Sequence, residues 1–92
     1  MSFVMRFQPQ GMSAATYDEC IKRLQAAGAG APAGRLYHVC FGDPENLSVS
    51  DIWDSMENFE AFGATLMPIM QELGIEGGQP EIVEVHNMII GG

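Results

Sequence analysis

Four residues in this chain can do chemistry as a group: His38, Asp51, Trp53 and His86. They supply one acid, two imidazoles that change charge near neutral pH, and a flat aromatic wall. Such a set can deprotonate a phenol or an acidic C–H and hold a planar substrate. Asp51 and Trp53 are two residues apart, so a strand puts both on one face. Whether His38 and His86 join that face depends on strand register, which spacing alone leaves open. Singly, each residue has a structural use. A strand histidine is often a satisfied core residue, a tryptophan fills volume, and an aspartate can hold a loop. Together they read as a ligand cleft. His38 or His86 is the expected base, Asp51 orients it, and Trp53, Tyr17 and Phe62 are the expected binding surface.

Other chemistries find less support. Two histidines and an aspartate are metal ligand types, but His38 and His86 lie in separate strands without helical His-x-x-x-His spacing. The Gly28 to Gly34 loop lacks the lysine and the preceding strand that a phosphate site needs. No Gly-x-Ser-x-Gly elbow occurs, and neither Cys20, on a helix, nor Cys40, on a strand, both expected to be buried, has an activating partner. The expectation is a site with no cofactor and no metal.

The chain has 92 residues, four of them basic and twelve acidic, for a formal charge of −8. Phosphate backbones and anionic membrane surfaces both require clustered cations, and only Lys22 and Arg23 are adjacent. Nucleic acid and membrane are therefore not expected partners. No apolar run reaches the roughly 18 residues of a membrane span. The first residues carry no signal-peptide pattern, and two thiols without metal spacing suit a reducing compartment, so a cytoplasmic location is expected.

The elements that must position these residues follow from periodicity. Phe3, Met5 and Phe7 alternate with Val4, Arg6 and Gln8, which gives a first strand. Ser13 caps a helix running to about Ala27, with Tyr17, Cys20, Ile21 and Leu24 as its apolar stripe. Arg35 to Phe41 is a second strand, with Leu36, His38 and Cys40 on one face. A hairpin loop from Gly42 to Asn46 leads to a third strand, where Leu47, Val49, Asp51 and Trp53 share a face. The period changes at Ser55, which caps a second helix from about Met56 to Leu73. Pro68 predicts a kink or break near Leu66 and Met67. A last strand runs from Glu81 to about Ile90.

This β-α-β-β-α-β order is the ferredoxin-like α+β plan, one domain over residues 1–92 with four antiparallel strands and two helices on one face. Helices cover only that face. The other also carries apolar residues, and 47% of the chain is hydrophobic, a large share for a domain this small to bury alone. A homodimer, two sheets packed into a dimeric α/β barrel, resolves that tension.

The chain resembles the dimeric α/β-barrel proteins related to antibiotic biosynthesis monooxygenases, in particular their small bacterial members. The resemblance rests on Tyr37, His38, Val39 and Cys40, on Trp53, Ser55, Phe59 and Phe62, and on Val85, His86 and Asn87. It implies a ligand cleft between sheet and helices. It also implies oxygenation of an aromatic compound without metal or flavin. Haem-degrading relatives carry an asparagine in strand one and a histidine on the second helix. Neither is present, so the resemblance points away from haem. A non-catalytic dimeric interaction or stress-response module is the alternative.

Overall fold

Phe3, Met5 and Phe7 alternate with Val4 and Arg6, and these five residues form β1 (Phe3–Phe7) at the centre of a sheet. The computed structural model describes residues 1–91. After β1 come α1 (Ala14–Ala26), β2 (Arg35–Asp43), β3 (Asn46–Trp53), α2 (Met56–Glu72) and β4 (Glu81–Glu84). All pairings are antiparallel, in the order β2-β3-β1-β4. This is the ferredoxin-like plan.

Local chemistry sets the helix ends. The Ser13 hydroxyl accepts from the Thr16 N–H while the Thr16 hydroxyl accepts from the Ser13 N–H, a reciprocal capping box. The Ser55 hydroxyl accepts from the Asn58 N–H, and Glu57 places negative charge in the first turn of α2. The helices pack on one sheet face. Met5, Val49 and Trp53 from the strands meet Cys20, Leu24, Phe62 and Met70 from the helices. The opposite face carries a row across all four strands, Val83, Val4, Ile52 and Tyr37. Its two ends, Val83 and Tyr37, are about half exposed.

Four details depart from the sequence reading. The last strand stops at Glu84 instead of reaching Ile90: Phe3, the first residue of β1, pairs with Glu84, and one further backbone bond, from the Val85 N–H to the Ser2 carbonyl, follows the ladder. α2 stays helical through Pro68. The carbonyl that proline leaves unbonded belongs to Ala64, which lies on the exposed side of the helix. Cys40 is only half-buried, unlike Cys20, and both are free thiols. Leu36 does not share the face of His38. The register shifts between Arg35 and Tyr37, so that Arg35 pairs with Trp53 while Tyr37 pairs with the adjacent Ile52. Leu36 is the extra residue of this bulge, and its side chain is exposed.

Candidate active site

His38 and Asp51 sit directly opposite one another on β2 and β3. Both side chains point to the helix side, and His38 Nδ1 lies 2.5 Å from Asp51 Oδ1. From α1, the Tyr17 hydroxyl approaches the other ring nitrogen, 2.6 Å from His38 Nε2. The two rings are nearly parallel, 4° apart with centroids at 6.0 Å. α1 is held in place by the β2–β3 hairpin. The Ala14 N–H donates to the Pro44 carbonyl at 2.6 Å, and the Leu47 N–H donates to the Met12 carbonyl at 2.8 Å. The turn that ends β2 thus anchors the helix that carries Tyr17.

The protons along this line follow from the acceptors. A carboxylate only accepts, so the imidazole proton sits on Nδ1 and Nε2 keeps its lone pair. Tyr17 then donates to Nε2. Burial pushes the Tyr17 phenol up to about 12, with Cys40 and Asp51 adding to the effect and Arg35 opposing it. Asp51 is the one charged side chain among the described residues that is fully buried, 3% exposed, and His38 is its side-chain partner. A buried carboxylate aimed at one ring nitrogen fixes both the orientation and the tautomer of that ring.

The line opens on a cavity of about 300 Å³ between sheet and helices. Its wall is mostly carbon, from residues such as Met5, Met12, Leu24, Leu66 and Ile75. The ionisable side chains on it are Tyr17, His38 and Asp51, with Cys20, Arg35 and Glu60. The Cys20 thiol is raised by burial, which makes it an apolar wall group and not a nucleophile. A second hollow of about 370 Å³ lies by Arg6, Gln8, Phe41 and Ser48. It has no hydrogen-bonded acid–base pair, so the chemistry points to the smaller cavity.

The expected residues divide. His38, Asp51 and Tyr17 come together, and Phe62 lines the same cavity. Trp53 shares the face of Asp51 but stands behind the wall, 1% exposed. Phe59 and Phe62 pack on it, with ring centroids at 5.8 and 5.3 Å. Its place at the end of β3, under the first turns of α2, closes it off. Its Nε1 has no hydrogen-bond partner among the described residues. His86 lies beyond β4, exposed, and does not join the group. Arg35 was not anticipated. Strict alternation sets it against His38, and only the bulge brings it to the cavity. Among the described residues, no cluster of three or more His, Cys, Asp or Glu side chains is arranged to hold a metal ion. No helix among them is long and apolar enough to cross a membrane.

No protein-family model matches this chain, and no curated protein matches it in sequence. Solved structures do match it in shape. SnoaB, a cofactor-independent oxygenase from Streptomyces nogalater, superposes with a TM-score of 0.60 at 19% identity, over 96% of this chain and 94% of its own. A protein assigned as an antibiotic biosynthesis monooxygenase from Chloroflexus aurantiacus superposes at 0.57 and 19%, over 98% and 97%. The chain shares the ferredoxin-like fold of these two proteins. A protein of unknown function from Nitrosomonas europaea also matches, at 0.56 and 18%, over 99% and 93%. At these identities the likeness is one of fold, and it extends over nearly the whole of each matched chain.

Proposed function

We propose that this protein binds a small aromatic compound between its sheet and helices and oxygenates it without a cofactor. The observation that carries this reading is the line Tyr17–His38–Asp51 opening on an apolar cavity. The Tyr17 O–H donates to His38 Nε2, and its oxygen still has lone pairs to accept from a ligand hydroxyl. A proton leaving the ligand passes to Tyr17 as the Tyr17 proton passes to Nε2, and Asp51 stabilises the resulting imidazolium. The ligand anion then reduces oxygen by itself. The anionic carbon bonds to O2, the imidazolium returns its proton through Tyr17 to give a hydroperoxide there, and loss of water with the hydrogen still on that carbon leaves a carbonyl. The shared fold with a cofactor-independent oxygenase supports this reading by analogy. Two free thiols fit a reducing, cytoplasmic setting.

The test is oxygen uptake with dihydroxynaphthalenes and anthrone-type compounds, corrected for autoxidation. One oxygen consumed per ligand, lost in His38→Ala, is the expected result. Uptake at the autoxidation rate across the whole panel overturns the oxygenase reading.

A second reading, a non-catalytic dimeric module, would act through the helix-free sheet face. Val83, Val4, Ile52 and Tyr37 form an apolar row there that a second copy would cover. Dimerisation through this face suits either reading.

A further inference from the structure

We infer that the ligand of this cavity carries an acidic group, a carboxylate or an equivalent oxyanion, and that Arg35 is the residue that recognises it. The inference rests on the cavity being a ligand site, and it adds the chemical class and orientation of what enters.

The chain has four basic residues, and Arg35 alone among them lines the cavity. Arg23 is engaged by Glu19 at 3.2 Å and Glu72 at 3.1 Å on the outer surface. Arg6 stands on the helix-free face, opposite Glu81 in the register. Lys22 is exposed on α1. Arg35, by contrast, pairs with no carboxylate among the described residues. Its guanidinium rests 5.6 Å from the centre of the Phe62 ring. Its one side-chain hydrogen bond runs from Nη2 to the Gly30 carbonyl at 3.2 Å. A guanidinium has five N–H donors in a planar fork, so most of them are free for a ligand.

Its placement is built into the backbone. Arg35 and His38 are three residues apart, so an unbroken strand would face them in opposite directions. The bulge at Leu36 turns Arg35 to the helix side, opposite Trp53. Gly34, at φ +85°, feeds the strand into that bulge. The Asp54 N–H donates to the Gly34 carbonyl at 2.9 Å and ties this entry to the start of α2. A cation and a proton relay therefore share one apolar cavity. The Arg35 charge reaches the phenol, since it opposes the rise in the affinity of Tyr17 for its proton. The overall charge of −8 makes an anion a poor non-specific guest. Arg35 is the one cation on a mostly apolar wall that also carries Glu60 and the Tyr17–His38–Asp51 line, and a free guanidinium there selects a monoanion with an apolar body. The acidic group is held at Arg35, and the ring hydroxyl to be deprotonated is turned toward Tyr17.

Matched probes test this by calorimetry. 1,4-Dihydroxy-2-naphthoic acid is compared with 1,4-dihydroxynaphthalene, and 2-naphthoic acid with 2-naphthalenemethanol, on the wild type, Arg35→Gln and Arg35→Lys. The wild type should prefer each acid to its neutral partner. In Arg35→Gln the acids should weaken about ten- to a hundred-fold, the size of a charged hydrogen bond, while the neutral partners hold within about two-fold. Arg35→Lys should recover part of the loss, because it keeps the charge without the fork. Circular dichroism melts confirm that each variant is folded. Equal weakening of acid and neutral probe, or no preference in the wild type, overturns the inference and leaves the cavity reading standing. Binding of no probe by the folded wild type overturns both.

Discussion

The Tyr17 hydroxyl and His38 Nε2 stand 2.6 Å apart although 21 residues separate them in the chain. With Asp51 on the far side of the ring, the proposed base, His38, is reached through tyrosine. His38→Ala should lower turnover about 10²- to 10⁴-fold, the usual weight of a positioned base. Asp51→Asn should lower it by at least about 10²-fold by loosening the ring tautomer. His86→Ala, outside the cavity, should change it less than about two-fold. Steady-state oxygen uptake on the folded variants measures all three. A large loss in His86→Ala with little in His38→Ala would reverse the assignment.

The Tyr17 phenol also predicts an alkaline signature. Burial raises its pKa to about 12 from an ordinary value of 10.0. The folded state therefore favours the protonated form. Below about pH 10 both states are protonated and the tyrosine adds no pH dependence. Between about 10 and 12 the unfolded phenol ionises first, so stability falls with rising pH. Denaturant midpoints taken across this range should decline, and Tyr17→Phe should flatten this part of the decline. An unchanged slope in Tyr17→Phe would place the effect on another group.

Much of this could be read from residue order, and what could not has a physical reason. Period-2 alternation put Asp51 and Trp53 together, and Ser13 and Ser55 marked both helix starts because capping is local chemistry. Alternation assumes an unbroken ladder, however, so the bulge at Leu36 and the turning of Arg35 left no trace in it. The early end of β4 depends on where β1 begins, a property of the partner strand. His38 and His86 looked equivalent in sequence. Register opposed one to Asp51 and left the other beyond the sheet.

Gly34 should prove the least replaceable glycine. A Cβ there would lie 2.4 Å from both Asn58 Nδ2 and Asp54 Oδ1, at a φ of +85°. The crowding atoms are side-chain ends that can move in part, but Asn58 Cβ at 2.7 Å cannot move without shifting α2. Gly34→Ala should cost about 2 kcal/mol or more in chemical denaturation. By contrast Gly63→Ala, within α2 with open space around its Cβ position, should be neutral or mildly stabilising. A Gly34→Ala protein as stable as wild type would contradict the close approach of β2 to α2.

Trp53 offers an optical check on the core. At 1% exposure its emission should be blue-shifted and resistant to acrylamide. Phe62 touches Trp53 and also lines the cavity, so a bound ligand should change the emission modestly, without direct stacking. Trp53→Leu should lower stability by about 2–4 kcal/mol, near the cost of deleting a large core aromatic. Free access of acrylamide to Trp53 would put the ring in the cavity instead of behind it.

The helix-free sheet face yields the last prediction. Ile52 sits between Val4 and Tyr37 in a row on the sheet face away from the helices. Two copies joined face to face would hide that row, and a lysine at its centre would bring two charges together in an apolar seam. Sedimentation equilibrium should therefore give twice the chain mass for the wild type and the single mass for Ile52→Lys. The His38–Asp51 pair lies on the opposite face of the sheet, so a monomeric variant that stays folded should keep its affinity for naphthoic acid within a few-fold. A wild-type monomer would remove the dimer from both functional readings, and loss of ligand affinity on dissociation would mean that the cavity is completed only in the pair.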